Sequence, residues 1–542
     1  METLSNNGHY RGKARQLILM AVIPVFIYLA IFFVVTYPLM LQMSTHFFTD
    51  EKDGLVMIWN VWWTNTAVTQ LHQSPWHTNY LYYPYGVTLL AHTLSPFNGF
   101  LATVLLPFLT LKQAYNSIVI FTFVVTGLTT FWLAFYIVRS YWPSIVAGFI
   151  FSFSNYHFAH TPGHLNLASL EWIPLFVLCW YMLMRSPGVL VALASAISLF
   201  AVMLCDYYYF FYSFVIAVML FIWRALQQRN FLFFLTRRYI VSLSVFVGAS
   251  LVTSGVIMLK LLRLIHSASL NGAHDPCEFP ADLLSPFIYG ACLRFSHLTK
   301  DFWMNLHGNT SENSVYMGVS VLILIAYAWF RRRQIETQSF RLWYVLLLFF
   351  WLTSLGPRLH VWGKHVPFGL MPYRLLDGVF PWLEVSGIPS RMMVIVMLCA
   401  ALISSMGLDL LLRSSRKSRL VAMALVALLI VEFLPQRMPT FKGEIPDWVW
   451  VMRELPDGGG VIDAGGIARR AMYYQTVHNK PLWGGFVARV PESLLEKNER
   501  IDECVRTEDF ERLRDDYGFR YAVSGVGHIY DLSRGEVIYR QR

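Results

Sequence analysis

Charged side chains are scarce in this chain. Only 14% of its 542 residues are Asp, Glu, Lys or Arg, whereas 56% are hydrophobic. Ordinary soluble domains are about 25% charged. A soluble chain of this length would need several domains with polar surfaces, and the charges to coat them are missing. The composition also excludes a disordered, collagen-like or disulfide-dense secreted protein. Most of the surface is therefore expected to face lipid.

Cysteine and the common cofactor motifs are sparse as well. The chain has six Cys, with no CxxC pair, GxGxxG loop, GKS/T loop or HExxH sequence. Soluble nucleotide-sugar chemistry and ATP chemistry therefore have no motif support. Cys277 and Cys292 fall in one predicted outside loop, where an oxidising compartment would allow them to pair.

Acidic residues are fewer than basic ones, which gives a formal net charge of +10. In a soluble protein this excess would suggest a nucleic-acid partner. In a membrane protein, Lys and Arg collect on cytoplasmic loops and set the orientation of the chain. We therefore expect membrane lipid, and no nucleic acid, as a partner.

Apolar runs suited to crossing a bilayer recur along the chain. We predict a mainly α, polytopic membrane bundle over residues 1–434, with about eleven spans, and a second unit over residues 435–542. The predicted spans are 17–41, 116–138, 142–158, 165–184, 189–205, 207–223, 240–259, 314–330, 342–355, 392–412 and 420–434. The run 94–111 is also apolar but contains two Pro, one Gly and one Asn, so we interpret it as juxtamembrane or re-entrant.

Three basic clusters, 224–238, 331–341 and 413–419, fall on the same side as the basic N-terminal segment 11–15 only if the run 94–111 does not cross. The positive-inside rule then places them and the N-terminus in the cytoplasm. The long first loop, 42–115, and the tail, 435–542, are extracytoplasmic. Because hydropathy falls in the tail and short apolar stretches alternate there, we predict a small α/β domain.

Two acidic residues follow the first predicted span. Asp50 and Asp53 are three residues apart, so they share one face if the segment begins a helix. They could act as a general base on an acceptor hydroxyl, or help hold a divalent cation such as Mg²⁺ or Mn²⁺. Helix capping or interfacial solvation explains the same spacing without a catalytic role.

Other polar residues lie at predicted outer ends of spans. His160 and His164 belong to a cluster of three His and a carboxylate, but Pro162 and Gly163 interrupt the helix that would align them for zinc. Hydrogen bonding to a substrate, or a structural role as a polar lid, is the stronger interpretation. Asp206, followed by three Tyr, suits sugar hydroxyls or an aromatic belt, and Glu312 is a lesser candidate.

Short motifs spread over nearly the whole chain resemble those of a family of large bacterial multi-pass proteins, usually placed with the GT-C glycosyltransferases. They include Asp50-x-x-Asp53-Gly54, Trp59-Asn60-x-Trp62-Trp63, His160-x-x-x-His164-Leu165-Asn166, Cys205-Asp206-Tyr207, Glu312-Asn313-Ser314, Pro389-Ser390-Arg391 and Tyr474-Gln475-Thr476-Val477-His478.

GT-C enzymes typically use an acidic residue of the first outside loop as catalytic base and a polyprenyl-phosphate sugar as donor. The resemblance implies Asp53, and secondly Asp50, as the base of an inverting transfer to a cell-envelope acceptor. It implies a bacterial inner (cytoplasmic) membrane location. A leaving lipid phosphate needs positive charge beside it, for which Arg358, Arg374 and Arg391 are candidates. Snorkelling at the headgroup level also explains these arginines.

Two other classes of protein stay open. A lipid or polysaccharide flippase or transporter would place ionisable residues near the bilayer midplane. A non-catalytic membrane scaffold would only present the tail. The predicted span centres are nearly free of Asp, Glu, Lys and Arg, and the polar residues crowd one face, which favours an enzyme on that face.

The predicted orientation gives a first test. In a variant without its own six Cys, a cysteine introduced into the tail should react with a membrane-impermeant thiol reagent on intact cells, because the tail is expected outside. A cysteine introduced into the cluster 413–419 serves as the control and should react only after lysis. Labelling of the tail only after lysis would reverse the orientation.

Overall fold

The computed structural model of the chain describes residues 15–229, 231–272, 274–335, 337–379, 387–463, 465 and 468–541. The predicted cytoplasmic segment 1–14 lies outside the described residues, as do residues 380–386 of the loop 356–391, which connects the predicted spans 342–355 and 392–412. The described chain is mainly helical, as the sequence predicted.

Helices occupy all eleven predicted spans. Within the described residues, five helices are long and apolar enough to cross a membrane: Arg15–Val35, Leu111–Val138, Tyr207–Gln228, Arg237–Ser267 and Pro389–Arg413. Shorter helices fill the other predicted spans: Tyr141–Ser152, Trp172–Arg185, Val189–Cys205, Val319–Phe330, Thr337–Ser354 and Arg416–Glu432.

Two predicted spans end earlier than their hydropathy suggested. The first helix ends at Val35, shortly before Pro38, which has no N–H to continue a helical ladder. The run 142–158 is divided because the Ser154 hydroxyl accepts the His157 N–H and caps a new short helix. The ambiguous run 94–111 contains the ten-residue helix Pro96–Leu105. Ten residues extend about 15 Å, half of a hydrocarbon core.

The long helices carry basic residues at one end. Several helices that begin near Lys112, Glu171, Asp206, Glu312 or Arg391 end in or next to an arginine. Those terminal arginines are Arg139, Arg185, Arg229, Arg331 and Arg413. The two ends of the bundle therefore differ, with basic residues at one and a mixed polar cluster at the other.

Shorter elements cover the end with the mixed polar cluster. The helices are Asp53–Thr69, Asn155–His160, Leu165–Ala168, Lys300–Met304, Thr310–Asn313 and Pro372–Val379. The two-stranded pairs are His77–Thr78 with Val87–Thr88, Leu359–Val361 with Lys364–Val366, and Leu270–Asn271 with Val490–Pro491. The last of these pairs joins the segment after Ser267 to the tail.

The tail has alternating helices and strands. Its four strands are ordered Glu536–Tyr539, Ile529–Asp531, Phe519–Val523 and Gly460–Asp463, and only the last two are parallel. Its helices are Asp447–Glu454, Ala468–His478, Glu492–Arg506 and Phe510–Asp515. Parallel strands need a long connection, and three of these helices supply it. Trp448, Tyr473 and Leu482 belong to the same apolar core as the bundle helices, so the tail packs directly on the bundle.

Close helix packing in the bundle depends on small residues. The Tyr28 ring lies against Gly127 and Gly148, and the Tyr28 hydroxyl donates to the Ile145 carbonyl at 3.0 Å. A β-carbon at either glycine would overlap the tyrosine side chain. Small residues at such contacts allow membrane helices to approach closely.

A substitution at Gly148 tests this packing. Gly148→Ala should lower the free energy of unfolding by about 1–3 kcal/mol, because the new methyl group meets the Tyr28 hydroxyl in a filled interior. Thermal unfolding of the purified protein in detergent measures the change. Gly248→Ala is the control, since no atom lies within 4 Å of a β-carbon there. Equal melting of the two variants would contradict the packing account.

Candidate active site

Polar side chains from distant parts of the sequence meet where several helices begin. Asp206 lies between Val189–Cys205 and Tyr207–Gln228, and Glu312 shortly precedes Val319–Phe330. Arg391 lies in the short 3-10 turn Pro389–Met392, which leads into the α-helical part, Met393–Arg413, of the span Pro389–Arg413. The short helix Asn155–His160 brings its last residue to the same place. Helix starts fix the positions of these side chains more firmly than free loops would.

Glu312 and Arg391 form a buried ion pair at the centre of this cluster. Arg391 Nη2 lies 2.5 Å and Nε 3.0 Å from Glu312 Oε1, and Nε lies 3.2 Å from Oε2. His160 Nε2 is 3.3 Å from Oε2. Burial acts to raise the pKa of Glu312, but Arg391 and His160 outweigh it and hold that pKa well below its ordinary value. The carboxylate is therefore ionised and shared by two partners.

Asp206 and Tyr208 flank the ion pair. Asp206 Oδ1 accepts the N–H groups of Tyr208 and Tyr209 at 2.8 and 3.3 Å, which caps the helix, and Oδ2 accepts from Asn166 Nδ2 at 2.8 Å. The Arg391 guanidinium carbon lies 4.8 Å from the centre of the Tyr208 ring. Asp206 therefore has a structural role at the helix start, and its predicted contact with sugar hydroxyls stays a prediction.

Asp53 begins the helix Asp53–Thr69 and is the most accessible carboxylate of the cluster, with 36% of its side chain exposed. Its Oδ1 is 2.9 Å from Arg469 Nη2, and its Oδ2 is 4.0 Å from His164 Nε2. Burial and the nearby Arg391 charge lower the pKa of His164 to about 4, so the imidazole is neutral near pH 7. Asp53 thus faces a neutral imidazole on one side and a guanidinium on the other.

Asp50 shapes the loop that presents Asp53. Its Oδ1 accepts the N–H groups of Lys52 and Gly54 at 3.0 and 2.9 Å, and its own N–H donates to the Pro162 carbonyl at 2.9 Å. Burial raises the pKa of Asp50 above its ordinary value. Gly163 packs against the Asp50 carboxylate, and this turn brings His164 towards Asp53.

Arg358 and Arg374 lie apart from this cluster. Both are exposed and sit near Cys277, and Arg374 Nε donates to the Pro357 carbonyl at 3.1 Å. In the described part of the loop neither forms an ion pair.

Six of the nine predicted site residues meet in one connected cluster, and a seventh, Asp50, adjoins it. The six are Asp53, His160, His164, Asp206, Glu312 and Arg391.

Two tail arginines join the cluster without having been predicted. Arg469 pairs with Asp53, and its guanidinium carbon lies 4.0 Å from the Phe486 ring centre. Arg489 is buried, and burial lowers its pKa, with a further lowering by the nearby Arg391 charge. The only sequence signal was the Arg469-Arg470 doublet, and nothing in it indicated contact with residue 53.

Neither a disulfide nor a resident metal is supported. Cys277 and Cys292 are both free thiols, and Cys292 Sγ lies 3.4 Å from Ser314 Oγ. Among the residues described, no group of three or more His, Cys, Asp or Glu side chains is placed to hold a metal ion. Asp50 and Asp53 each have an oxygen committed to protein donors. These residues therefore do not fit Mg²⁺, Mn²⁺ or zinc as a resident ion.

The family of the chain is shown by sequence. A family model described as "Domain of unknown function (DUF6311)" matches residues 25–435. The chain belongs to the DUF6311 family. No curated protein matches this DUF6311 chain.

Solved structures show which fold this DUF6311 protein has. The arabinofuranosyltransferase AftD from Mycobacteria superimposes with a TM-score of 0.53 at 13% identity, over 93% of this chain and 36% of AftD. This chain thus spans about a third of the AftD length. ArnT from Cupriavidus metallidurans, bound to undecaprenyl phosphate, gives 0.48 at 10% identity over 93% and 92% of the two chains. The oligosaccharyltransferase AglB from Archaeoglobus fulgidus, with an inhibitory peptide and a dolichol-phosphate, gives 0.44 at 12% over 93% and 69%. The GT-C fold implied by the sequence motifs is confirmed.

The contribution of the Glu312–Arg391 ion pair to stability can be tested by substitution. Glu312→Ala should lower the free energy of unfolding by about 3–5 kcal/mol, because it leaves the Arg391 charge buried without its partner. Glu444→Ala removes the exposed Lys442–Glu444 pair and should change the free energy of unfolding far less, because solvent screens that pair. Unfolding in mixed micelles compares the two variants. Equal losses would show that Arg391 is compensated by other groups.

Proposed function

We propose that this protein is a membrane glycosyltransferase that moves a sugar from a polyprenyl-phosphate donor to a hydroxyl group of a cell-envelope acceptor on the extracytoplasmic face. The observation that carries the proposal is the position of Asp53. It is half-exposed at the end of a connected series of polar side chains, His164, His160, Glu312 and Arg391, which runs into the buried part of the cluster.

Asp53 is the proposed general base. The 4.0 Å separation between Asp53 Oδ2 and His164 Nε2 is too long for a hydrogen bond. An acceptor hydroxyl oxygen can lie within about 2.8 Å of both atoms. His164 is neutral and does not compete for the carboxylate charge. Arg469 holds the other carboxylate oxygen and so orients Oδ2 towards this gap.

The proposed reaction is a single inverting displacement. Asp53 takes the proton of the acceptor hydroxyl while the oxygen of that hydroxyl forms a bond to the anomeric carbon of the sugar. The bond from that carbon to the donor phosphate oxygen breaks, and its electron pair leaves with the lipid phosphate. Asp50 acts on this step indirectly, by fixing the loop that holds Asp53.

Arg391 and Arg489 are the proposed source of positive charge beside the leaving phosphate. Glu312 accepts hydrogen bonds from Nε and Nη2 of Arg391, and Nη1 makes no hydrogen bond to that carboxylate. Arg489 brings a second buried guanidinium to the same region. Negative charge that develops on the leaving group is stabilised by cations fixed in advance. Arg358 and Arg374 are too exposed for the same role and suit lipid headgroups.

The proposal draws on the sequence for its donor and its location. The similarity to AftD supports the fold, and fold alone does not define an activity. The polyprenyl-phosphate donor follows from the motif resemblance. The extracytoplasmic face and the bacterial inner membrane follow from the distribution of basic residues and from that resemblance.

Asp53→Asn tests the catalytic assignment. The change keeps the size of the side chain but removes its basicity, so we expect turnover to fall by about 10²- to 10⁴-fold. The assay measures release of undecaprenyl phosphate by purified protein from a panel of undecaprenyl-phosphate hexoses and pentoses, with cell-envelope glycans as acceptors.

Glu51→Gln is a matched control. Glu51 belongs to the same loop and pairs with Arg470, the neighbour of Arg469, at 3.1 Å, but both side chains are about half exposed and lie outside the cluster. Its activity should stay within about twofold of the unmodified protein, as expected for a weak surface pair. Full activity of Asp53→Asn would remove the base, and absence of transfer by the unmodified protein would favour a scaffold.

A further inference from the structure

A groove lies between the helix Asp53–Thr69 and the tail helices Asp447–Glu454 and Ala468–His478. It encloses about 480 Å³. The residues that line it include Trp62, Gln70, Trp450, Asp457, His478 and Asn479. Trp62 is nine residues from Asp53 along one helix, or about 13 Å at the α-helical rise. The groove is therefore separate from the Asp53 cluster.

Two tryptophans supply flat apolar surface to the groove. Trp450 keeps 46% of its surface exposed on the helix Asp447–Glu454. Trp62 is mostly buried, and its ring is fixed by contacts with Trp59 and Tyr80, each with ring centres 6.2 Å apart. The negative face of an aromatic ring attracts the weakly positive C–H groups on one face of a sugar ring.

Directional polar groups lie beside these rings. The backbone N–H of Lys480 donates to His478 Nδ1 at 3.1 Å, so a neutral imidazole carries its proton on Nε2 as a donor. Burial lowers the pKa of His478 to about 3, which keeps the imidazole neutral. Asn479 has φ of 56° and presents an amide with both a donor and an acceptor, as does Gln70. Groups of this kind recognise hydroxyls.

Each of the charged side chains around the groove lies beside one of opposite charge. Asp457 Oδ1 accepts from the buried Lys480 Nζ at 2.7 Å, and Arg453 Nε lies 3.9 Å from Glu454 Oε1. Neither a cationic nor an anionic ligand would find an excess of opposite charge here. An uncharged ligand with many hydroxyls and apolar ring faces has the chemistry that the groove complements.

We propose that this groove is a second saccharide-binding site, which binds an uncharged oligosaccharide by stacking on Trp450 and by hydrogen bonds to His478, Asn479 and Asp457. The site goes beyond the proposed function, because it does not include Asp53 and requires no transfer reaction. It is formed jointly by the first loop and the tail, so it exists only when the two are docked.

Binding to the full-length protein in nanodiscs tests the site. The probe is a pool of neutral tri- to pentasaccharides built from hexoses, pentoses and deoxyhexoses, and saturation-transfer NMR identifies the members that bind. Tryptophan fluorescence then gives the dissociation constant for the tightest member. Trp450→Ala should raise that constant by about tenfold or more, as expected for loss of one central aromatic contact.

Two further variants separate recognition from folding. Asn479→Gly removes the amide but tolerates the positive φ, so it should weaken binding by about threefold to tenfold without unfolding the turn. Trp362→Ala is the control, because Trp362 has 45% exposure, close to that of Trp450, and lies in the hairpin Leu359–Val366 away from the groove. It should bind like the unmodified protein.

Several outcomes would overturn the site. They are absence of binding by every member of the pool, unchanged binding in Trp450→Ala, and preferential binding of a matched pool in which one hexose is replaced by a uronic acid. Asp53→Asn should retain oligosaccharide binding, so that a failure of the catalytic proposal remains distinguishable from a failure of this one.

Discussion

The ion pair between Glu312 and Arg391 determines the arrangement of the polar end of the bundle. A charge removed from water needs a partner of opposite sign inside the protein, and removal of one member leaves the other uncompensated. Glu312 and Arg391 are 79 residues apart in sequence and precede different helices. Their pairing therefore fixes two helix starts relative to each other, and His160 fixes a third element to the same carboxylate.

The tail contacts the first loop of the bundle at several polar side chains. Arg469 and Arg470 of one tail helix contact Asp53 and Glu51 of the first loop, and Trp59 Nε1 donates to Gln475 Oε1 at 2.6 Å in a buried contact. The motif around Gln475 thus has a structural role in docking the tail on the first loop. The cluster at Asp53 and the groove at Trp62 both depend on this docking.

Much of the helical framework could be predicted because hydropathy is a local property. The predicted run 189–205 coincides with the helix Val189–Cys205, and two spans end early where a single residue, Pro38 or Ser154, overrides an apolar run. The meeting of Asp53, His164, Glu312 and Arg391 was also partly predictable. All of them were assigned to the same end of successive spans, where only a limited area is available.

The pairings within that area could not be predicted from sequence. A proline-stiffened arginine in the loop 356–391 has the same local signal whether it is buried, as Arg391 is, or exposed, as Arg358 is. Arg469 is 416 residues from Asp53, and no periodicity relates the two. Such contacts depend on how the tail docks, which is decided by tertiary packing.

The contribution of Arg469 has a consequence for biosynthesis. During translation Asp53 reaches the membrane early, whereas Arg469 emerges only after every bundle helix has been made. A nascent or truncated chain would therefore hold the loop carboxylate without the guanidinium that orients it. Under the proposed mechanism, the centre at Asp53 is assembled only after the tail has been made and has docked, so an unfinished molecule would lack activity.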